Sequence, residues 1–155
     1  MKLHRTSLLL GATGGALIMS IVTAFGLGAR PTEAQEDLRL AVQKSQVMAV
    51  TYQLDNSGFH DLDVKLNNGE FVAGALGRVR KARIATQTAM WPHEMQETAR
   101  KLVGEFQELE TALRNEDVAA AAPRAKEMHE LYHGLSDAVY TWLSTGQSAA
   151  PTHGH

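Results

Sequence analysis

The sequence HELYH, from His129 to His133, matches the pattern H-E-x-x-H. On a helix its two histidines lie one turn apart on one face, where their imidazoles can bind one metal ion. In zinc peptidases the glutamate between them is the general base that acts on a metal-bound water. Here no acidic residue follows Asp137 to supply a third ligand, and Ser136 stands where the longer peptidase motif has glycine. We therefore expect metal ligation by the pair, with Glu130 as a further oxygen ligand, rather than hydrolysis.

A second candidate site is the sequence GFHDLD, from Gly58 to Asp63. His60 and Asp63 are three residues apart, so on a helix they share a face and could chelate one ion through nitrogen and oxygen. Taken alone, the pair also fits a partly exposed histidine beside a solvated aspartate.

The stretch from Gly58 to Asp63, followed by Lys65 and Leu66, resembles the G-F-H-x-x-E segment of the imelysin-like periplasmic proteins, which include the M-domain of bacterial ferrous-iron uptake systems. The resemblance implies an exported helical bundle that binds metal through His60 and Asp63. The run from Tyr132 to Tyr140 is similar to a tyrosine- and histidine-containing helix late in that family. Asp63 replaces the glutamate of the family, and the chain is shorter than its usual members.

Composition excludes several other classes of function. The 155 residues are 44% hydrophobic and 21% charged, which is typical of a globular domain. The absence of cysteine excludes disulfides, thiolate zinc sites, Fe–S clusters and covalent haem attachment. Residues 35–155 carry four more acidic than basic side chains, so nucleic acid is not an expected partner.

The first 34 residues predict export or anchoring. Lys2 and Arg5 precede an almost wholly apolar stretch over residues 7–27, and Thr32-Glu33-Ala34 offers a small-x-small cleavage site. The apolar stretch is also long enough to span a bilayer, so a cleaved signal peptide and a retained single-span anchor both remain open. Either one places the domain on the periplasmic or extracellular side of the cytoplasmic membrane.

Four amphipathic segments follow, and the short joints between them predict an all-α, up-down-up-down four-helix bundle over residues 35–146. The predicted helices cover residues 35–66, about 70–90, from Pro92 to the turn at 115–117, and from Val118 to Gly146. Asn56-Ser57-Gly58 is a weak point in the first helix, and Pro123 predicts a kink in the fourth. Residues 147–155, with His153 and His155, are expected to form a flexible tail.

Apolar spacing predicts the inward side of each helix. For the first helix these residues are Leu40, Val47, Val50, Leu54, Phe59, Leu62 and Leu66. For the second they are Val72, Ala75, Val79, Ala82 and Ala89, with the basic residues Arg78, Arg80, Lys81 and Arg83 facing solvent. For the third they are Met95, Ala99, Leu102, Phe106, Leu109 and Leu113. For the fourth they are Val118, Ala122, Ala125, Met128, Tyr132, Leu135, Val139 and Trp142.

In such a bundle the first and fourth helices are antiparallel neighbours, and His60 lies about one helical turn from the level of His129. A joint site of His60, Asp63, His129 and His133 is therefore geometrically allowed, while His93 lies at the opposite end. Mixed nitrogen and oxygen ligands suit Zn, Fe, Cu or Ni without choosing among them.

The preferred interpretation is an extracytoplasmic protein that binds a divalent transition metal for uptake, buffering or sensing. The main alternative is an accessory subunit of a membrane protein complex without metal, in which the histidines merely flank a buried stripe. A zinc hydrolase using Glu130 is a third possibility. A b-type haem bundle with Met48 and His129 or His133 as axial ligands is a fourth.

Overall fold

The structure is a computed structural model and describes residues 32–145. The expected signal or anchor lies almost entirely outside these residues, as does the His153 and His155 tail. The chain divides into two units, Met1–Glu36 and Asp37–His155, and the helical fold lies almost wholly in the second. Over the described range, no helix combines the length and the apolar character needed to cross a membrane.

Residues 32–145 are helical and contain no strand, which confirms the all-α prediction. The elements are α1 (Glu33–Asp55), α2 (Phe59–Asn67), α3 (Ala75–Thr88), one 3₁₀ turn (His93–Met95), α4 (Gln96–Arg114) and α5 (Val118–Thr145). In this helical bundle α4 packs against both α3 and α5, and α2 packs against α5.

The first predicted helix is in fact two helices, because the chain breaks at its weak point. The side chains of Asn56 and Ser57 each bond to a carbonyl one turn earlier, at 2.7 Å, and so compete with the backbone ladder. Gly58 then adopts the left-handed conformation, with φ of 67°, immediately before α2. A Cβ atom there would lie 3.0 Å from Arg78 Nη1, which itself donates to the Ser57 carbonyl at 3.3 Å.

The later helix ends follow their turn residues. Gly69, at φ of 79°, closes α2: its N–H donates to the Leu66 carbonyl and the next N–H donates to the Lys65 carbonyl. Asp117 starts α5 by accepting the Ala120 N–H at 2.9 Å. The helix then continues through Pro123.

The core confirms most of the inward-facing prediction. All six positions predicted for the third helix are buried, Met95 in the 3₁₀ turn and the other five in α4, and Phe106 is fully inaccessible. Phe59 packs against Phe106 and Tyr132, with ring centroids 5.5 Å and 5.9 Å apart, so the first residue of α2 is anchored between α4 and α5.

Some residues depart from the expected pattern. Leu40 of α1 is 42% exposed, although the spacing placed it on the inward side, and Met48, the possible axial haem ligand, is 55% exposed. Arg83, expected in solvent, pairs with Glu110, which is only 5% exposed. A buried carboxylate needs such a partner, and sequence spacing within α3 cannot show one that lies on α4.

We predict that Gly58→Ala lowers the free energy of unfolding by about 1–2 kcal/mol, the usual cost of a left-handed conformation for a residue with a Cβ atom. Urea unfolding measures the change. Gly104→Ala, in the middle of α4 with nothing within 4 Å of the added atom, is the matched control. It should stabilise the protein by about 0.5–1 kcal/mol. Equal effects of the two variants would contradict the role given to Gly58.

Candidate functional site

The core packing of α2 and α5 places the predicted site residues side by side. Phe59, Leu62 and Leu66 bury one face of α2, which leaves His60 and Asp63 beside that face. On α5 the buried residues Met128, Tyr132 and Leu135 similarly leave His129 and His133 at the edge of the core.

Asp63, His129 and His133 form a continuous polar chain. Asp63 Oδ2 lies 3.0 Å from His129 Nδ1, and these two side chains are only 17% and 14% exposed. His129 Nε2 in turn lies 2.9 Å from His133 Nε2. Because the carboxylate can only accept when ionised, it assigns the proton to Nδ1 and leaves a lone pair on Nε2 of the neutral ring. Such an imidazole is in the form that binds a metal ion.

His60 also belongs to this cluster. Its ring centroid lies 5.3 Å from that of His129, and the His129 and His133 centroids are 4.6 Å apart. The structure therefore brings together four of the five residues that the sequence nominated, from segments 66 residues apart.

Glu130 and His93 lie elsewhere. Glu130 is 63% exposed, and its carboxylate faces Lys126 at 4.0 Å. His93 is exposed in the 3₁₀ turn before α4, beside a different cavity. Within residues 32–145, no three His, Asp or Glu side chains are arranged so that they could hold one metal ion together. The geometry gives a reason, since Asp63 faces the Nδ1 edge of His129 and not its Nε2 edge.

A second polar cluster adjoins the first and was missed by the sequence reasoning. Tyr132 donates its hydroxyl hydrogen to Asp55 Oδ1, and Tyr140 donates to Asp55 Oδ2 at 2.7 Å. Ser136 Oγ lies 3.5 Å from the same carboxylate. The signal available in the sequence was the spacing of 132, 136 and 140, which places three hydroxyls in one row along a helix.

The two phenols resist ionisation. Burial, followed by the hydrogen bond to Asp55, raises the pKa of Tyr132 far above its ordinary value. The hydrogen bond to Asp55 is the main reason that the pKa of Tyr140 is also raised. The rings of Tyr132 and His133 are 5.0 Å apart, so the two clusters are in contact.

Comparisons with protein families, with curated proteins and with solved structures find no match for this chain. The class of protein is therefore given by the described residues themselves. It is an all-helical bundle in which a His–Asp cluster and a Tyr–Asp cluster lie at one site.

We predict that Asp55→Asn lowers the free energy of unfolding at neutral pH by about 1–2 kcal/mol, since hydrogen bonds to a charged acceptor are the stronger kind. Of the two phenols bonded to Asp55, Tyr140 contributes less to this free energy than Tyr132, because its side chain is half-exposed and solvent screens the interaction. A phenol whose pKa is raised by folding stabilises the fold fully at pH values below its ordinary pKa of 10.0. This stabilisation is lost as the pH rises through the pKa of the phenol in the folded protein. The gap between native and variant should therefore narrow only above pH 10.

Urea unfolding at a series of alkaline pH values tests this, with phenolate absorbance followed in parallel. Tyr52→Phe is the control, because that side chain is 70% exposed. A gap between native and Asp55→Asn protein that already closes below pH 10 would contradict the assignment.

Proposed function

We propose that this protein binds a divalent transition-metal ion, Zn, Fe, Cu or Ni, for uptake, buffering or sensing outside the cytoplasm. The observation that carries the proposal is the chain from Asp63 through His129 to His133. It holds two imidazole Nε2 atoms 2.9 Å apart and fixes the tautomer of one of them.

The nitrogen spacing suits a shared ion. Two imidazoles on one tetrahedral zinc ion, each at about 2.0–2.1 Å, have nitrogen atoms about 3.3 Å apart. The rings therefore need to separate by only a few tenths of an ångström. His133 is exposed and can make that movement, while His129 is held by Asp63.

The proposal gives the cluster residues different roles. His129 and His133 are the ligands, and Asp63 is a positioning residue that orients His129 through Nδ1, as carboxylates commonly do behind a metal-bound histidine. His60 is exposed and its ring centroid lies 5.3 Å from that of His129, so it is the candidate for a third nitrogen ligand. Glu130 is left out of the ligand set because its carboxylate lies on the solvated side near Lys126. This also disfavours the hydrolase alternative, which needs Glu130 at the metal.

The long-range contacts favour the up-down-up-down arrangement on which this site depends. Lys44 lies over the Trp142 ring, Asp55 binds Tyr140, and Asp63 binds His129, so residues later in the first segment meet residues earlier in α5. We extend the proposal to location on the basic, apolar and small-residue order of residues 1–34, which is typical of a signal peptide or an anchor helix.

The second candidate is an accessory subunit, and one observation favours it. Leu38, Val42, Met48 and Tyr52 are 50–70% exposed. At 100° per residue they occupy one face of α1. An exposed apolar helix face of this kind is typical of a protein–protein contact.

We predict near-stoichiometric metal in the untagged chain carrying His153→Ala and His155→Ala, after reconstitution with Zn, Cu, Ni or Fe. Adding His129→Ala and His133→Ala should abolish it, because both proposed ligands are removed. Mass spectrometry of the desalted protein gives the metal content. His93→Ala, at a histidine outside the cluster, should bind like the parent. If none of the four metals bound the parent chain, the metal proposal would be overturned and the accessory-subunit hypothesis would be favoured.

We predict separately that Asp63→Asn weakens metal affinity by about 10–100-fold, the usual effect of losing the carboxylate behind a ligating histidine. Competition with a chromophoric chelator measures the affinity. Asp61→Asn is the matched control, since Asp61 lies on the same helix and pairs with Lys65, at 3.1 Å, away from His129. If Asp63→Asn abolished binding as completely as the loss of His129, Asp63 would be a direct ligand instead.

A further inference from the structure

A cavity of about 820 Å³ lies away from the histidine cluster, where α1, the end of α3 and the start of α4 meet. Arg39 and Gln43 line it from α1, Trp91 and His93 from the connection, and Arg100 from α4. Its size is within the range of sites for small organic molecules, about 300–1,000 Å³.

The walls of the cavity are fixed by hydrogen bonds. Trp91 is 7% exposed, and its Nε1 donates to the Thr86 carbonyl at 2.7 Å, which locks the indole. Gln43 donates to the Met90 carbonyl at 2.9 Å, and the Met90 N–H donates to Gln46 at 3.2 Å. These hydrogen bonds tie the connection after α3 to α1, so the backbone and the indole that line the cavity are held in place.

The charge of the lining is of one sign. Arg39, Arg100 and His93 face the cavity, and no Asp or Glu of residues 32–145 lines it. Arg100 donates from Nε to the Gln96 carbonyl at 3.3 Å, and neither arginine forms a salt bridge within the described residues. The nearby Glu97 pairs with Lys101 at 3.0 Å, and Arg100 attracts the same carboxylate more weakly. The first turn of α4 adds the positive end of a helix dipole.

The remaining lining favours a carboxylate with an apolar body. Ala89, Met90 and Val103 provide apolar wall beside the indole of Trp91. Among the lining residues within 32–145, Thr86 has the one hydroxyl, which already donates to the Ala82 carbonyl at 2.9 Å, and no glycine offers the N–H groups that a phosphate prefers. A planar guanidinium binds a carboxylate through two parallel hydrogen bonds.

We propose that this cavity is a binding site for a small organic carboxylate with an aromatic or aliphatic body, held by Arg39 and Arg100 and packed against Trp91. The site is independent of the metal proposal, since none of its lining residues belongs to the histidine cluster.

Isothermal titration of the full chain with benzoate and with octanoate tests the proposal, with benzamide and inorganic phosphate as comparators. At least one carboxylate should bind, and benzamide should bind at least about tenfold more weakly than benzoate because it lacks the charge. Arg39→Gln and Arg100→Gln should each weaken carboxylate binding by about tenfold or more. Arg114→Gln, an exposed arginine of α4 outside the cavity, is the matched control.

Circular dichroism and thermal unfolding show whether each arginine variant is folded, and the benzamide comparison needs no variant. Three results would overturn the proposal. They are no binding of either carboxylate at millimolar concentration, binding that is unchanged in both arginine variants, and phosphate binding as tight as that of the carboxylates.

Discussion

The turn at Gly58 separates Asp55, the last residue of α1, from Phe59, the first residue of α2, and both polar clusters depend on this separation. The left-handed residue re-aims the chain, so that Phe59 enters the core between Phe106 and Tyr132. Asp55 and Asp63 can then both reach α5, at Tyr140 and at His129. The contacts of the Phe59 ring fix the position of α2 against α4 and α5, and this position allows both carboxylates to reach α5.

Helix α5 provides the other half of both clusters. Its buried row includes Met128, Leu135 and Val139, and polar side chains run along one edge of that row. The histidine pair and the hydroxyls that reach Asp55 share this edge, where the rings of Tyr132 and His133 are 5.0 Å apart. Polar groups at such an edge keep part of their hydration, so that placing them there costs less than full burial. Each also has a partner, and no buried side-chain nitrogen or oxygen among residues 32–145 lacks one.

Local spacing predicted which of these side chains share a helix face, but not how the two faces contact each other. His129 and His133 are four residues apart, so any helix brings them together, and the same holds for His60 and Asp63 at a spacing of three. Asp63 contacts the Nδ1 edge of the His129 imidazole. The packing of α2 on α5 decides this contact, and spacing along one helix contains no information about it. Glu130 was nominated by its position in HELYH, but its rotation about α5 leaves it facing Lys126.

The amino-acid sequence by itself determined the helices, the strict apolar seam of α4, the turn residues and the i, i+4 histidine pair, because all of these follow from local backbone preferences and from one helical period. Tertiary structure alone decided the pairs between distant segments: Asp55 with Tyr140, 85 residues apart, Arg83 with Glu110, and the arginines of α1 and α4 around one cavity. Such pairs depend on how far one helix slides and rotates against another. Those two quantities are set by the collective packing of the core, which no single stretch of sequence encodes.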